Sequence, residues 1–273
     1  METKHIFDDI QSQKAAFILK NKHAKLSKLT SAEIKNLAVV WCYYSGKIEG
    51  NTYTYVETEA LLKDDVTSSK RYEDAKMLKN LYNGFVTVLE QILKDGAIDI
   101  DQRAVLTIHS LLADELVQAA DKGILRSKAV GITGTTYTPP KEADEIKERF
   151  EDILSGQYSY SNPMERAVYL HCNTARLQPF IDGNKRTSRF LESIVLMNND
   201  IIPVYSAKDE DLLNYRKGLI HFYETEDYNL YADYFLNRQI QRINDLSLKT
   251  EVKFDLKTNR EIKIPNQSFR KKM

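Results

Sequence analysis

One stretch of twelve residues constrains the fold of this 273-residue chain more than any other. It covers residues 178–189 and reads QPFIDGNKRTSR. Pro179 disfavours helix at the residue before it, and residues 182–184, Asp-Gly-Asn, are typical of a turn. Residues 190–197 are apolar on nearly all sides, as in a helix that is buried at the centre of a fold. The stretch therefore predicts a loop followed by a central helix that begins near Lys185.

The start of this predicted helix has the features of an anion site. Backbone N–H groups in the first turn of a helix lack partners within it, and the positive end of the helix dipole lies there. Arg186 and Arg189 are three residues apart, so both can lie on one face and make bidentate contacts to phosphate. Asp182 lies where a hard cation that bridges phosphates would need an oxygen ligand. The set predicts a phosphate site; the alternative is a capped helix whose arginines pair with surface acids.

Composition excludes several classes of function. The 39 Lys and Arg residues equal the 39 Asp and Glu residues, so no overall field attracts nucleic acid or an anionic membrane. The two cysteines lie inside helical patterns without a CxxC, which argues against a disulfide framework. The N-terminus, residues 1–5, leads into charged sequence, and no apolar run approaches the length of a membrane span. We therefore expect a cytoplasmic protein that binds neither nucleic acid nor a membrane.

A second informative stretch ends at Gly50. Thr30 and Glu33 predict a capping box, and apolar residues then recur at helical spacing until Gly50 ends the helix. Ser45 and Glu49 are four residues apart and share a face of this helix. A carboxylate at a helix C-terminus opposes the negative end of the dipole. Glu49 is therefore expected to have a cationic partner.

Most of the remaining chain is helical in pattern. His109 lies on an apolar helical pattern and is predicted to be structural, because no second ligand lies at metal spacing. His171 would share a helix face with Gln178, but two turns are about 10 Å of rise, too far to act as a base in its place, so it is also interpreted as structural. Asn214 and Tyr215 could line a pocket for a base, but the pattern around them favours a surface helix. The predicted helices cover about residues 54–62, 70–94, 101–113, 163–177, 208–222 and 228–244.

Two segments have the two-residue period of strands. Residues 123–140, here called the flap segment, are rich in β-branched residues and glycine, and predict a short hairpin. A simple connector is the alternative for this segment. Residues 252–256 and 262–264 alternate around a polar turn and predict a terminal hairpin. The basic residues 270–272 are interpreted as a solvated tail.

Residues 178–189 resemble the Fic (filamentation induced by cyclic AMP) motif, whose usual form is HPFxDGNGRxxR. Two positions depart from that form: Gln178 stands where the family has its catalytic histidine, and Lys185 stands where the commonest form has glycine. Residues 45–50, SGKIEG, resemble the inhibitory motif SxxxEG or SxxxEN of Fic proteins. The matching positions of the Fic motif are Pro179, Phe180, Asp182, Gly183, Asn184, Arg186 and Arg189.

The resemblance implies an all-α or mainly α fold, a Fic-type helical bundle around a central buried helix with a small β-hairpin flap. It implies an N-terminal helical region over residues 1–95 with the inhibitory motif, a core domain over 96–240 and a tail over 241–273. The family reaction is transfer of AMP from Mg-ATP to a Ser, Thr or Tyr hydroxyl of a target protein. The implied ligands are therefore ATP and Mg²⁺, and the implied partner is a protein; a homodimer is left open.

The resemblance also implies roles for individual residues. Asp182 would bind the metal, and Glu49 would reach Arg189 and occupy the space that the ATP γ-phosphate needs. The other implied residues form three groups: Gly183, Asn184, Lys185, Arg186 and Arg189 for the nucleotide phosphates; Ser45, Glu49 and Gly50 for inhibition; and Ile132, Gly134, Thr135 and Tyr137 of the flap for docking the target.

Gln178 leaves three interpretations open. A carboxamide does not titrate in the useful range, so it cannot accept the hydroxyl proton as imidazole does. The chain is then a weak adenylyltransferase that Glu49 inhibits, or a pseudoenzyme that binds a nucleotide or a partner without chemistry. A third interpretation starts from Lys185, which relatives of the death-on-curing toxin type share; they transfer a phosphate from a reversed nucleotide. ATP and another nucleotide are both compatible with the motif.

Overall fold

The computed structural model describes residues 4–248 and 251–263. Residues 1–3 of the N-terminus, Ile264 of the predicted terminal hairpin and the basic residues 270–272 lie outside this part. Within it the chain forms ten α-helices: α1 Asp9–Lys20, α2 Ser31–Ile48, α3 Tyr55–Asp64, α4 Tyr72–Asp95, α5 Gln102–Leu112, α6 Ala143–Gly156, α7 Pro163–Leu177, α8 Asn184–Asn198, α9 Asp209–Thr225 and α10 Asn229–Leu246.

Helix α8 lies at the centre of the fold, as predicted. Every residue from Phe190 to Met197 is buried, and α7, α5 and α4 pack against this helix. Trp41 of α2 packs edge-on against Phe190 with ring centroids 5.5 Å apart, and its indole N–H donates to Ser193 Oγ at 3.0 Å. The helix that carries the arginines is therefore fixed by apolar packing along its length.

The predicted helix boundaries are confirmed where capping residues determined them. Thr30 and Thr54 each form a capping box with the glutamate three residues later, at the starts of α2 and α3. Helix α7 begins at Pro163 after the Asn162 cap. Helix α8 begins at Asn184, one residue before the predicted start.

Two helices were not predicted from the sequence. Helix α1 starts with a capping box between Asp8 and Gln11, but buried Gln11 and Lys14 interrupt its apolar face. Helix α6 is strongly charged, although Ile146, Phe150, Ile153 and Leu154 form a buried stripe at helical spacing. The signal for α6 was therefore present in the sequence, whereas that for α1 was weakened by its buried polar residues.

The hairpin predicted over the flap segment is not formed. The described structure contains no strand within residues 123–140. Side chains take the place of strand pairing, because Tyr137 N–H donates to Thr135 Oγ1 at 3.1 Å and Thr136 N–H donates to Glu224 Oε1 at 3.2 Å. The two prolines at 139–140 have no N–H to contribute to a ladder.

The terminal hairpin is confirmed within the described residues. Strand β1, Val252–Asp255, pairs antiparallel with strand β2, Arg260–Lys263. Phe254 of β1 is buried and packs against Phe17 of α1 with ring centroids 5.4 Å apart. The hairpin is therefore attached to the helical body by the Phe254 ring and by hydrogen bonds between the Phe254 main chain and the Asn244 side chain of α10.

Among the described helices, none combines the length and the apolar character that crossing a bilayer requires.

The central position of α8 can be tested by truncating its aromatic side chain. We expect Phe190→Ala to lower the free energy of unfolding by about 3–5 kcal/mol, because Phe190 is fully packed and leaves a cavity. Urea unfolding followed by circular dichroism measures this. The control is Val56→Ala, since Val56 is 73% exposed and should change the value by less than about 0.5 kcal/mol. Equal effects of the two changes would contradict a core position for α8.

Candidate functional site

Gln178 lies at the end of α7 in a strained backbone conformation. It is the C-terminal cap of α7, with φ 51° and ψ 59° in the left-handed region that non-glycine residues seldom adopt. Its side-chain amide donates to Ala175 O at 2.6 Å, and only 8% of the residue is exposed. The amide is thus tied to the last turn of its own helix.

The loop between α7 and α8 is held from two sides. Asn184 closes it, because its side chain accepts from Phe180 N–H and donates to Phe180 O, each at 2.8 Å. The ring of His109 stacks on Phe180 with centroids 3.7 Å apart, and its Nε2 lies 3.0 Å from Asp182 O. Gly123 N–H donates to Nδ1, so Nε2 carries the proton and donates to Asp182.

His109 is a structural residue, as predicted. Burial lowers the pKa of His109 to about 4, despite the hydrogen bond to Asp182 O, so the ring is neutral at pH 7. Both ring nitrogens are hydrogen-bonded. Among the described residues, moreover, no three histidines, cysteines or acids are grouped as metal ligands would be.

The first turn of α8 opens into a cleft. Gly183 is the N-terminal cap with φ 77°, and its missing side chain leaves the turn without a side-chain cap. The cleft has a volume of about 220 Å³, below the roughly 300–1,000 Å³ that is usual for small-molecule sites. Its lining residues are Glu49, Val130, Gly131, Ile132, Thr133, Gln178, Ile181, Asp182, Gly183, Asn184 and Lys185.

Arg189 lies beneath this cleft and is fully buried. Its Nη2 donates to Glu49 Oε1 at 2.6 Å, its Nε donates to Ser45 Oγ at 3.0 Å, and its Nη1 donates to Tyr215 OH at 3.3 Å. The glutamate at the end of α2 therefore contacts the second arginine of α8, 140 residues away in sequence. Glu49 is one-fifth exposed and closes this side of the cleft.

The pair is electrostatically favourable in spite of its burial. Burial opposes ionisation of Glu49, but the charges of Arg189, Arg186 and Lys185 outweigh it, so the pKa of Glu49 lies below its ordinary value. Burial likewise opposes the charge on Arg189, and Glu49 more than offsets it, so the pKa of Arg189 is raised. Both side chains are therefore charged at neutral pH.

The residues after Glu49 anchor it in place. Asn51 donates from its side chain to Asp74 O at 2.8 Å, and Thr52 Oγ1 donates to Asp74 Oδ2 at 2.6 Å. Gly46 packs closely on the inner face, since an added Cβ would lie 3.0 Å from Leu78 Cδ2. The end of α2 is thus fixed against α4.

Behind Arg189 lies a buried polar network that sequence analysis did not find. Tyr215 is 1% exposed, so the prediction of a surface helix is wrong for this residue, although its neighbour Asn214 is exposed. Tyr215 OH lies 3.1 Å from His171 Nε2, and His171 Nδ1 lies 2.9 Å from Glu192 Oε2. The available signal in the sequence was Glu192, an acid within the apolar residues 190–197, because buried carboxylates need partners.

Arg186 and Asp182 form an ion pair at the start of α8. Arg186 Nη2 lies 3.0 Å from Asp182 Oδ2, and the Asp182 side chain is 64% exposed while that of Arg186 is 3% exposed. Within the described residues, the buried Nε of Arg186 has no hydrogen-bond partner, which is unusual for a buried donor. Arg186 itself does not line the cleft, whereas Asp182 does.

The remaining predicted residues lie apart from the cleft. Of the four flap residues, only Ile132 lines it; Thr135 is bonded to Glu224 Oε1 at 2.9 Å and Tyr137 stacks over Arg176 at 4.2 Å. Gly134 and Gly50 have positive φ angles, 88° and 80°, and form turns. Ser45 lies below the cleft, bonded to Arg189.

The fold is helical, and the start of its central helix α8 combines an N-terminus without a side-chain cap with two arginines and the glutamate that pairs with one of them. The Fic/DOC family model matches residues 99–196. This part of the chain, from α5 to near the end of α8, is therefore similar to a Fic domain.

Named proteins of this family are similar to the chain over part of their length. The chain is 30% identical over 177 residues to the protein adenylyltransferase Fic of Drosophila willistoni, which covers 62% of this chain and 34% of that protein. It thus spans about a third of the length of the curated relatives that it matches. Fic-1 of C. elegans has a similar structure, with 20% identity, a TM-score of 0.66, and coverage of 86% of this chain and 68% of that one. A Fic family protein of Desulfovibrio desulfuricans G20 has 18% identity, a TM-score of 0.72, and coverage of 90% and 76%.

The Arg189 contact predicts a pH dependence of stability. Because the pKa of Glu49 is depressed in the folded state, its contribution is fully present above the ordinary value of 4.5 and is lost as the pH falls through the folded-state pKa. We expect Glu49→Gln to lower the free energy of unfolding by about 1–3 kcal/mol at pH 7. The difference from the native chain should shrink below pH 4.5. Urea unfolding at several pH values measures it.

The control for this experiment is Glu59→Gln on α3. Glu59 forms a surface pair with Lys63, which should contribute less than about 0.5 kcal/mol at any pH. A pH-independent difference for Glu49→Gln would contradict the depressed pKa of Glu49.

Proposed function

We propose that this chain is a Fic-type protein adenylyltransferase that Glu49 inhibits and Gln178 weakens. The observation that carries the proposal is the 2.6 Å contact between Glu49 Oε1 and Arg189 Nη2 at the wall of the cleft. Arg189 is fully buried, so an anionic ligand can replace Glu49 as its partner more easily than water can. The relatives named protein adenylyltransferase support this class of reaction.

In this proposal the ATP phosphates lie at the first turn of α8. Gly183 permits close approach of the backbone, and Asn184 and Lys185 line the same wall. Arg186, paired with Asp182, would add positive charge next to the phosphates, and Arg189 would bind the γ-phosphate once Glu49 has moved. With Glu49 in place the cleft is small for a nucleotide, which supports an inhibitory role for this residue.

Asp182 fits a magnesium ion that arrives with the nucleotide. Mg²⁺ usually binds through one or two carboxylates together with substrate phosphates. Asp182 is exposed at the mouth of the cleft, so its carboxylate can serve as such a ligand. The ion would neutralise charge on the phosphates and orient them when bound.

The proposed reaction joins a target hydroxyl to AMP. The hydroxyl oxygen attacks the α-phosphorus, the bond to the bridging oxygen breaks, and pyrophosphate leaves; the hydroxyl proton must pass to a base. Gln178 cannot take that proton, and its side-chain amide already donates a hydrogen bond to Ala175 O. Proton transfer to solvent would leave the reaction slower by about 10²–10⁴, the usual contribution of a general base.

The flap segment would hold the target chain in this scheme. Ile132 and its neighbours border the cleft, and the segment is not paired into a sheet within the described structure. An extended target peptide could pair with such a backbone by strand addition. The N-terminal region, residues 1–95, would supply the inhibitory glutamate, residues 96–240 would form the core, and residues 241–273 would form the tail.

A nucleotide-binding pseudoenzyme is the second candidate function. It is favoured by the hydrogen bond from the Gln178 side-chain amide to Ala175 O, because this bond gives the amide a partner within the protein. This candidate keeps the phosphate site and the inhibitory contact, and it omits the transfer. The two candidates differ only in turnover.

We predict that Glu49→Gly increases the affinity for Mg-ATP by about tenfold or more, because it removes the competitor of the γ-phosphate. Isothermal titration calorimetry on the native and variant chains measures the change. The matched control is Glu59→Ala, whose carboxylate pairs with Lys63 outside the cleft and should leave the affinity unchanged. No binding by either the native or the Glu49→Gly chain would overturn the proposed nucleotide site.

We predict that Gln178→His in the Glu49→Gly background raises AMP transfer by about 10²–10⁴, because it restores a group that accepts the proton. Radiolabelled ATP incubated with cell lysate and each variant measures the transfer. Label with Glu49→Gly alone would favour the weak enzyme. Label that appears only with the double variant would favour the pseudoenzyme. No label with either Glu49→Gly or the double variant would count against an adenylyltransferase.

A further inference from the structure

Arg126 is a buried arginine that joins the flap segment to the end of α7. It is 4% exposed, although it lies in the loop between α5 and α6. Burial lowers its pKa, but an arginine remains charged at neutral pH. Its surroundings therefore have to compensate a buried cation.

Every hydrogen bond of this guanidinium goes to a main-chain carbonyl. Nε donates to Gln178 O at 2.5 Å, and Nη2 donates to Leu177 O at 3.3 Å. These carbonyls lie at the C-terminus of α7, where the last C=O groups lack helical partners and the dipole is negative. The helix end thus compensates the charge of Arg126.

The same guanidinium holds two points of the flap segment, Lys128 near its start and Pro140 at its C-terminal end. Nη1 donates to Lys128 O at 2.9 Å, and Nη2 also donates to Pro140 O at 2.8 Å. The backbone N–H of Arg126 donates to Pro179 O at 2.9 Å. One planar group therefore fixes Lys128 and Pro140 against the residue at position 178.

The part of the flap segment between Lys128 and Pro140 is held separately, at residues 135–137. Glu224 accepts from Thr135 Oγ1 and Thr136 N–H, and Tyr137 stacks over Arg176. Arg176 in turn donates to Tyr223 O at 2.9 Å. Residues 130–133, between these two attachments, border the cleft.

We propose that Arg126 is a positioning residue that sets the flap segment and the backbone at position 178 in register, so that a docked target hydroxyl faces the nucleotide. This inference rests on the proposed function only for what docks there; the mechanical role of Arg126 stands on the contacts alone. Arginine is required because its fork reaches four carbonyls in one plane, whereas lysine presents a single charged nitrogen.

The first test replaces Arg126 by lysine, which keeps the charge and most of the packing. We expect amide hydrogen exchange over residues 130–138 to become about tenfold faster or more, while exchange within α8 stays as in the native chain. The matched control is Arg242→Lys: Arg242 also has a pKa lowered by burial and donates to a main-chain carbonyl, that of His23, but lies outside the cleft. Unchanged exchange in the flap segment would overturn the proposal.

The second test separates positioning from general stability. In the Glu49→Gly background we expect Arg126→Lys to change the Mg-ATP dissociation constant by less than about twofold, and to lower AMP transfer by about a hundredfold once Gln178→His is also present. A loss of ATP affinity equal to the loss of transfer would overturn the positioning role. If no chain binds Mg-ATP, the proposed function fails, and the exchange result still decides the role of Arg126.

A further variant keeps the proposal testable if Arg126→Lys does not fold. Glu224→Ala releases only the far attachment, since Glu224 accepts from Thr135 and Thr136. We expect faster exchange at residues 134–137 and unchanged exchange at residues 128–130, because Arg126 still donates to Lys128 O and Pro140 O. Uniformly faster exchange across the whole flap segment would overturn the proposal.

Discussion

The buried charge of Arg189 is the constraint on which the rest of the site depends. A guanidinium without contact to solvent is costly unless it is paired and hydrogen-bonded. Glu49 supplies the charge, while Ser45 and Tyr215 supply polar contacts. These partners come from α2 and α9, so the pairing of one side chain on α8 brings three helices to a defined position. Any anion that displaces Glu49 must satisfy the same requirement, and phosphate can do so.

The site has two parts that are held in different ways, helix α8 and the flap segment. Helix α8 is held by apolar packing and by the network that runs from Tyr215 through His171 to Glu192. The flap segment is attached through Arg126 and Glu224, and Leu125, Ile132 and Tyr137 pack against the hydrophobic core. In the proposed function, binding of phosphate would need helix α8, and docking of another chain would need the flap segment. Coupling of the two through the backbone at position 178 would then serve group transfer, because a small misplacement of the reacting groups costs much of the rate.

The elements that the sequence predicted well are those with local signals. The capping box at Thr30 and the proline at position 163 set helix starts, and the turn at 182–184 set the start of α8 within one residue. Helix α1 was missed because its buried face contains polar residues, and α6 was missed although its apolar residues recur at helical spacing. The flap segment was predicted to be a hairpin, since its β-branched residues have strand propensity. The N–H of Thr136 instead bonds to Glu224, a choice that depends on helix α9, 88 residues further along the chain.

The sequence by itself determined which chemical groups are present: a turn before a cationic helix start, a glutamate at a helix end, and a glutamine at position 178. Those properties follow from spacing along the chain, because capping, turns and helix faces are local. Only the tertiary structure decided that Glu49 meets Arg189, that Tyr215 is buried behind it, and that Arg126 holds the flap segment. Glu49 and Arg189 are 140 positions apart in the sequence, and Arg126 and Pro140 are 14 positions apart. Their geometry depends on how the helices pack, which no local pattern encodes.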